Sequence, residues 1–233
     1  RAIGVFDSGL GGLSVLASIR RILPAEPTIY LGDTARVPYG TRSAATIIRY
    51  ACNNARALLA RRPLKLLVVA CNTASAVALD ALQSLLPIDV VGVIEPSAEA
   101  AFVVAGDEDI GVLATLGTVR SLAYPAALAK AGCTARVHAT ACPMFVPLVE
   151  EGWVDGEVPR LVAERYLRHV PPEVRTIILG CTHYPSLLPI LQAVRPNARW
   201  VQSGDATARV VQTLVDEKGL SAPGDQQPVH EVV

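Results

Sequence analysis

The sequence predicts an α/β protein: two pseudo-symmetric, doubly wound parallel-sheet domains facing each other across a cleft. The first observation is alternation. Short apolar strands follow helical segments along nearly the whole chain, the pattern of a parallel sheet with covered faces. Right-handed crossovers then make each half a doubly wound unit. The second observation is an internal repeat. IGVFDSG at 3–9 resembles IGVLATL at 110–116, with Gly4 and Gly111 107 positions apart. Cys71 and Cys181 stand 110 apart in similar surroundings, and Asp33-x4-Pro38 and Cys142-x4-Pro147 stand 109 apart. The third is size: 233 residues, 51% of them apolar, can bury a large core.

Ala2–Phe6 is a short apolar strand. The glycine-rich turn Asp7-Ser8-Gly9-Leu10-Gly11-Gly12 follows, then a helix to about Leu23. Pro27–Leu31 is the second strand, ending at Gly32-Asp33, before a loop over 34–40 holding Arg36, Pro38 and Tyr39. Ser43–Ala60 is a long helix. Leu66–Ala70 is a continuous apolar run, read as a fully buried strand. Cys71 follows at once, and Asn72, Thr73 and Ser75 open an Ala-rich helix that Pro87 closes. A strand over 89–93 and a helix over 96–105 precede the polar break at 106–109. The second half has strands near 110–114, 135–139, 175–179 and 199–201, with helices between. A last helix, about 206–218, has no strand after it, and the tail from Ser221 is expected to be loose.

Two cysteines stand where a strand ends and a helix begins, the edge at which open α/β sheets bind ligands. Cys71 does so in LLVVACNTASA, and Cys181 in RTIILGCTHY. A helix N-terminus offers free N–H groups and a positive dipole end, so a thiol there is expected to ionise more easily. A buried structural cysteine is common, but two in matched settings point to chemistry. His183, two residues from Cys181, can tune that thiol or relay its proton. Cys52 lies inside a helix pattern with no strand before it, and Cys133 precedes its strand; both read as packing. Cys142 opens a loop that can line the cleft. His138 and His169 have no context that suggests a role.

Several classes drop out. Charge is balanced at 21 basic and 21 acidic residues, with no basic run, so nucleic acid is not expected as a partner. No apolar run reaches the roughly 18–20 residues of a membrane span. Five cysteines, an odd number, suggest free thiols in a reducing cytoplasm. No Cys/His spacing suits zinc. DSGLGG offers two glycines of a dinucleotide loop, and Asp33 imitates the ribose-binding acid, but Ser14 takes the third glycine's place. That leaves Asp7 and Ser8 unexplained, since both end a strand at the ligand edge. Pyridoxal chemistry needs a lysine, and Lys65, Lys130 and Lys218 all lack a cleft-like setting.

FDSGLGGLSVL, YLGDTARVPYG, VVACNTASA, GVIEPS, CPMFVPLVEEG and LGCTHYP, in that order, resemble the cofactor-independent glutamate racemases of the aspartate/glutamate racemase superfamily. The resemblance implies that Cys71 and Cys181 are paired acid/bases, assisted by Asp7 and His183. It implies substrate contacts at Asp7, Ser8, Tyr39, Gly40, Asn72, Thr73, Thr115, Thr182 and His183, with Asp33 and Glu150 in or behind the site. It implies no cofactor and no metal, and a C-terminal helix that returns to the first domain. The domains would be 1–96 with 206–233, carrying Cys71, and 97–205, carrying Cys181. It further implies a cytoplasmic enzyme acting on glutamate and supplying D-glutamate for peptidoglycan, with a homodimer left open as the assembly. Gln202 and Ser186 depart from the family's usual residues.

The chemistry is coherent with those residues. Racemisation removes an α-proton and returns one to the opposite face. Two bases on opposite sides of a planar intermediate do this without turning the substrate over. The alternatives kept open are a racemase for aspartate or another amino acid, and a two-lobed amino-acid-binding module without chemistry.

Overall fold

A computed structural model describes residues 1–223 and 227–233. The first half contains β1 (Ala2–Asp7), α1 (Leu13–Ile22), β2 (Thr28–Gly32), α2 (Ala44–Arg61), β3 (Leu64–Val69), α3 (Asn72–Leu85) and β4 (Asp89–Gly92). Next come α4 (Ile94–Ala105), β5 (Ile110–Ala114), α5 (Leu116–Arg120), α6 (Ala123–Lys130) and β6 (Val137–Ala141). The chain continues with α7 (Phe145–Glu150), α8 (Glu157–Leu167), β7 (Thr176–Gly180), α9 (Leu188–Val194), β8 (Arg199–Gln202), α10 (Ser203–Glu217) and β9 (His230–Val232).

Two parallel sheets result, ordered β4-β3-β1-β2-β9 and β6-β5-β7-β8. The second, read backwards, matches the first strand for strand: β8, β7, β5 and β6 occupy the places of β4, β3, β1 and β2. The repeat seen in the sequence is therefore a repeat of topology. In each sheet the central strand, β1 or β5, pairs with the strand that leads into a cysteine, β3 or β7. On its other side it pairs with the strand that leads into Asp33 or Cys142.

Alternation along β1 shows how the layers form. Ala2 and Phe6 enter one core with α2 and α3, while Ile3 and Val5 enter another with α1 and α10. Ala208, Val211 and Val215 of α10 complete that second core, so the last helix returns to the first sheet. The second sheet is covered by α7, α8 and α9 on one face and by α4 and α6 on the other.

Three expectations are corrected. A strand does follow the last helix: β9 pairs in parallel with β2, Thr28 to His230 and Tyr30 to Val232. The tail is not loose where it begins. Lys65 and Glu26 form a buried ion pair at 2.6 Å, Lys65 Nζ donates to the Leu220 carbonyl, and Glu26 accepts from Ala222 N–H at 2.7 Å. That pair pins the chain as it leaves α10; residues 224–226 lie outside the described residues. Finally, β6 sits two residues later than read, because Ile110 pairs with Val137 and the ladder runs on to Ala141. Among the described residues no helix is long and apolar enough to cross a membrane.

Candidate active site

β3 ends at Val69, and Cys71 is itself the N-cap of the 14-residue α3, its sulfur accepting from Ala74 N–H at 3.5 Å. Ser75, one turn in, ties the strand ends together: its hydroxyl donates to Val69 O at 2.8 Å and accepts from Val93 N–H at 3.2 Å. That stitch fixes the elbow carrying Cys71. The second elbow is built differently. After Gly180 come Cys181, Thr182 and His183, then a 3-10 turn at Tyr184–Leu187; α9 starts only at Leu188. Cys181 is therefore not an α-helix cap. Pro185 and Pro189 account for the delay, since each lacks a backbone N–H and neither can sit inside a helix whose first turn is already formed.

The two elbows face each other. Charge of the first half bears on the thiol of the second: Cys71 and Asp7 both oppose ionisation of Cys181, while Cys71 is opposed by Asp7 of its own half. Beside Cys71 lie Ser8, whose hydroxyl is 3.5 Å from the sulfur, and Asp7, which accepts from Gly9 N–H at 3.0 Å. Beside Cys181 lies His183, with Nδ1 3.9 Å from the sulfur and Nε2 paired with Glu150. His183 and Glu150 are 33 positions apart in sequence, which is why no local signal announced the pair.

The halves also touch directly. Thr182 Oγ1 donates to Asp7 Oδ1 at 3.3 Å. Thr73 of α3 meets Thr115 at 2.9 Å and Thr118 at 3.3 Å, and the last two are 3.0 Å apart. Two glycines make room for this seam. A Cβ on Gly11 would stand 2.6 Å from Thr182 Oγ1 and 2.8 Å from His183 Nδ1, and one on Gly40 would stand 2.7 Å from Thr115 Cβ. The glycine-rich turn that imitates a dinucleotide loop is thus a surface for close approach of the second half.

All the proposed contacts meet in this region, yet not all present a free group. Tyr39 is buried near Cys71, and its hydroxyl donates to Asp33, which also accepts from Arg36 at 3.1 Å and from Asn54 at 3.3 Å. Asp33 therefore stands behind Tyr39. Asn72 directs Oδ1 to Tyr124 at 2.7 Å, and its Nδ2 is buried with no partner among the described residues. Asn54 and Tyr124 carried no motif signal, because each reaches the site from a helix distant in sequence, whereas Thr118 stands one turn after Thr115 in the helix that Thr115 caps. His138, by contrast, pairs with Asp109 at 2.9 Å, far along the sheet at the start of β5's ladder.

Electrostatics correct one expectation. Burial outweighs the helix N-terminus, so both thiols are harder to ionise than usual. Complete burial, and next the charge of Asp7, push Cys71 up to about 11, against donation from Ser8, Ala74 and Thr73. Cys181 is pushed further in the same direction, again chiefly by burial. Asp7 is raised by burial too, with the nearby His183 acting against that. The dipole argument failed because it treats a helix end in water, whereas Cys71 is 4% exposed.

This has a measurable sign. The folded state of Cys71 keeps its proton to about 11 while the unfolded thiol loses it near 9.0. Its contribution to stability is whole below pH 9.0 and is lost as pH rises through about 11. The urea midpoint should fall across that window, and fall less in Cys71→Ala than in the unsubstituted protein. Equal falls in both would contradict it.

The model of the Asp/Glu/hydantoin racemase family matches residues 3–211. The chain is 49% identical over 232 residues to the glutamate racemase of Geobacter metallireducens, covering 99% of this chain and 86% of that one. It superposes on the crystal structure of glutamate racemase from Thermus thermophilus in complex with β-chloro-D-alanine (TM-score 0.87, 44% identity, 99% and 85% coverage). It also superposes on that from Francisella tularensis in complex with D-glutamate (TM-score 0.92, 35% identity, 100% and 87% coverage).

Proposed function

Because the chain belongs to the Asp/Glu/hydantoin racemase family, we propose that it interconverts L- and D-glutamate by two-base proton transfer at the α-carbon. One observation carries the reading: two buried thiols, at equivalent places in equivalent sheets, face each other. A binding module needs no such pair. Near-full-length likeness to glutamate racemases supports glutamate over aspartate.

The substrate sits between the elbows, with residues 1–96 and 206–233 supplying one wall and 97–205 the other. One cysteine, as thiolate, takes the α-proton. The C–H electron pair spreads into the substrate carboxylate, and the other thiol delivers a proton to the opposite face. Thiolate and thiol have then exchanged places, and no other atom is gained or lost.

High thiol pKa values suit this step. A thiolate formed in a dry site is a stronger base than one in water, and the α-proton is a weak acid. Both cysteines are thiols in the empty site at neutral pH. The substrate's own ammonium group supplies the positive charge that lets one ionise. Cys71 is the easier of the two to ionise: Ser8, Ala74 and Thr73 hydrogen-bond it and, among the described residues, Asp7 is the one charge opposing it, whereas both Cys71 and Asp7 oppose Cys181. Asn72 Nδ2 and Thr182 are placed to donate to the substrate carboxylate, where charge develops. Asp7 and Ser8 assist on the Cys71 side, and His183 with Glu150 on the other. Tyr39, Gly40, Thr73 and Thr115 shape the wall between.

No lysine is available for a Schiff base: Lys65 pairs with Glu26, Lys130 with Glu95 and Lys218 with Asp89. That pairing disfavours pyridoxal chemistry. The reaction is free of nucleotide and metal, as the family resemblance implies, and its product is the D-glutamate that cell-wall synthesis draws on.

The test is circular dichroism of L-glutamate incubated with EDTA-dialysed protein and no additive. The signal should decay to zero, with L-aspartate unchanged. Decay with aspartate alone would shift the assignment to that substrate. No decay with any amino acid, alongside tight binding, would make the protein a binding module. Activity lost on dialysis and restored by metal would sink the cofactor-independent mechanism.

A further inference from the structure

Tyr124 spans the gap between the two cysteine elbows. It lies at the start of α6, is 1% exposed, and belongs to no motif quoted for the site. Its ring lies against Gly180, the residue before Cys181: a Cβ there would stand 2.9 Å from Tyr124 Cε2. Its hydroxyl donates to Oδ1 of Asn72, the residue after Cys71, at 2.7 Å. One rigid side chain therefore touches the chain immediately beside both thiols.

The hydroxyl contact has a second effect. An amide has an acceptor end and a donor end. Tyr124 holds the acceptor end, so the donor end, Nδ2, is turned the other way. There it is buried, in a residue 2% exposed, with no partner among the described residues. A buried N–H without a partner is costly, on the order of 1–3 kcal/mol. Such a group marks a place that a ligand acceptor fills. Burial raises the Tyr124 phenol well above its ordinary value, so it remains a donor across the working range.

We propose that Tyr124 is a positioning residue: it packs on Gly180 and fixes the Asn72 amide, so that Asn72 presents its N–H group to the substrate carboxylate. The role rests on the reading of this cleft as the glutamate site. It also ties carboxylate binding to the placement of the two halves, because Tyr124 stands on the second sheet's side and Asn72 on the first.

The experiment is a four-protein cycle: unsubstituted protein, Tyr124→Phe, Asn72→Ala and the double variant. Glutamate affinity is read by calorimetry, and kcat and KM by circular dichroism. Tyr124→Phe keeps the ring on Gly180 and frees the amide. It should weaken glutamate binding about 5- to 10-fold, the worth of one hydrogen bond, and lower kcat/KM by at least as much, because the same N–H group faces the charge that develops on the carboxylate. In the Asn72→Ala background the same change should do nothing further to affinity. A general structural role would persist in that background, and that result overturns the proposal. Unchanged affinity and kcat/KM in Tyr124→Phe also overturns it, while leaving the racemase reading intact. If the unsubstituted protein binds glutamate without racemising it, the racemase reading fails, and the calorimetric cycle still tests Tyr124.

Discussion

Cys71→Ala and Cys181→Ala should each lower glutamate racemisation by about ten-thousand-fold, the upper end of what one acid/base group contributes, while the protein still folds. Each substitution removes the proton carrier of one face. The remaining thiol can reach one face of the α-carbon only, so the cycle cannot close. Packing loss is small by comparison: trading a buried thiol for a methyl costs on the order of 1 kcal/mol. Far-ultraviolet circular dichroism and a modest drop in Tm would confirm that fold and activity separate. Cys52→Ala and Cys133→Ala are the controls. Cys52 is a partly buried residue of α2, and Cys133 Sγ lies 4.0 Å from Ala135 O in the turn before β6. Both variants should remain active. A dead Cys133→Ala with a live Cys181→Ala would move the second base to the wrong repeat and overturn the facing-thiol mechanism.

The second large effect is isotopic. Racemisation of one protiated enantiomer in D2O, stopped early, should give product carrying deuterium at the α-carbon and residual substrate carrying almost none. The delivering thiol exchanges with water before each turnover. The proton taken by the first thiolate never reaches the other face. A single base serving both faces would return deuterium to either side, and the recovered substrate would be labelled as fast as the product. Mass spectrometry of the separated enantiomers distinguishes these outcomes. Comparable label in both pools would contradict two-base transfer even in an active racemase.

Much of this architecture was legible in the sequence, for local reasons. Leu66–Ala70 and Thr176–Gly180 are apolar runs that only a buried strand explains, and the polar residues after them end those strands at the ligand edge. The repeat was legible because each half keeps its glycine in the central strand, where Gly4 lies under Leu64 and Gly111 under Val170. What was not legible depends on tertiary placement. β9 has three residues and no neighbour in sequence; only the free edge of β2 makes it a strand. Thiol pKa values depend on burial by both halves together, so an isolated helix end misjudges them. Asp7 bears on both Cys71 and Cys181 and accepts from Thr182 of the other half, a reach that no local pattern in the sequence reports. Asn54 and Tyr124 act from helices whose sequence patterns report only their packing.

The matched strand order of the two sheets sets a limit on how even-handed the enzyme can be. L-residues can relate one half to the other by a rotation, never by a reflection, whereas the two enantiomers are related by reflection alone. The walls are accordingly unlike: a serine hydroxyl beside one sulfur, a histidine–carboxylate pair beside the other. Forward and reverse turnover therefore pass different surroundings, and kcat and KM differ between them. Enantiomers have equal free energy in water, so kcat/KM must nevertheless be the same in both directions. Every asymmetry that evolution places on one wall is divided between rate and affinity, and none of it can bias the final mixture.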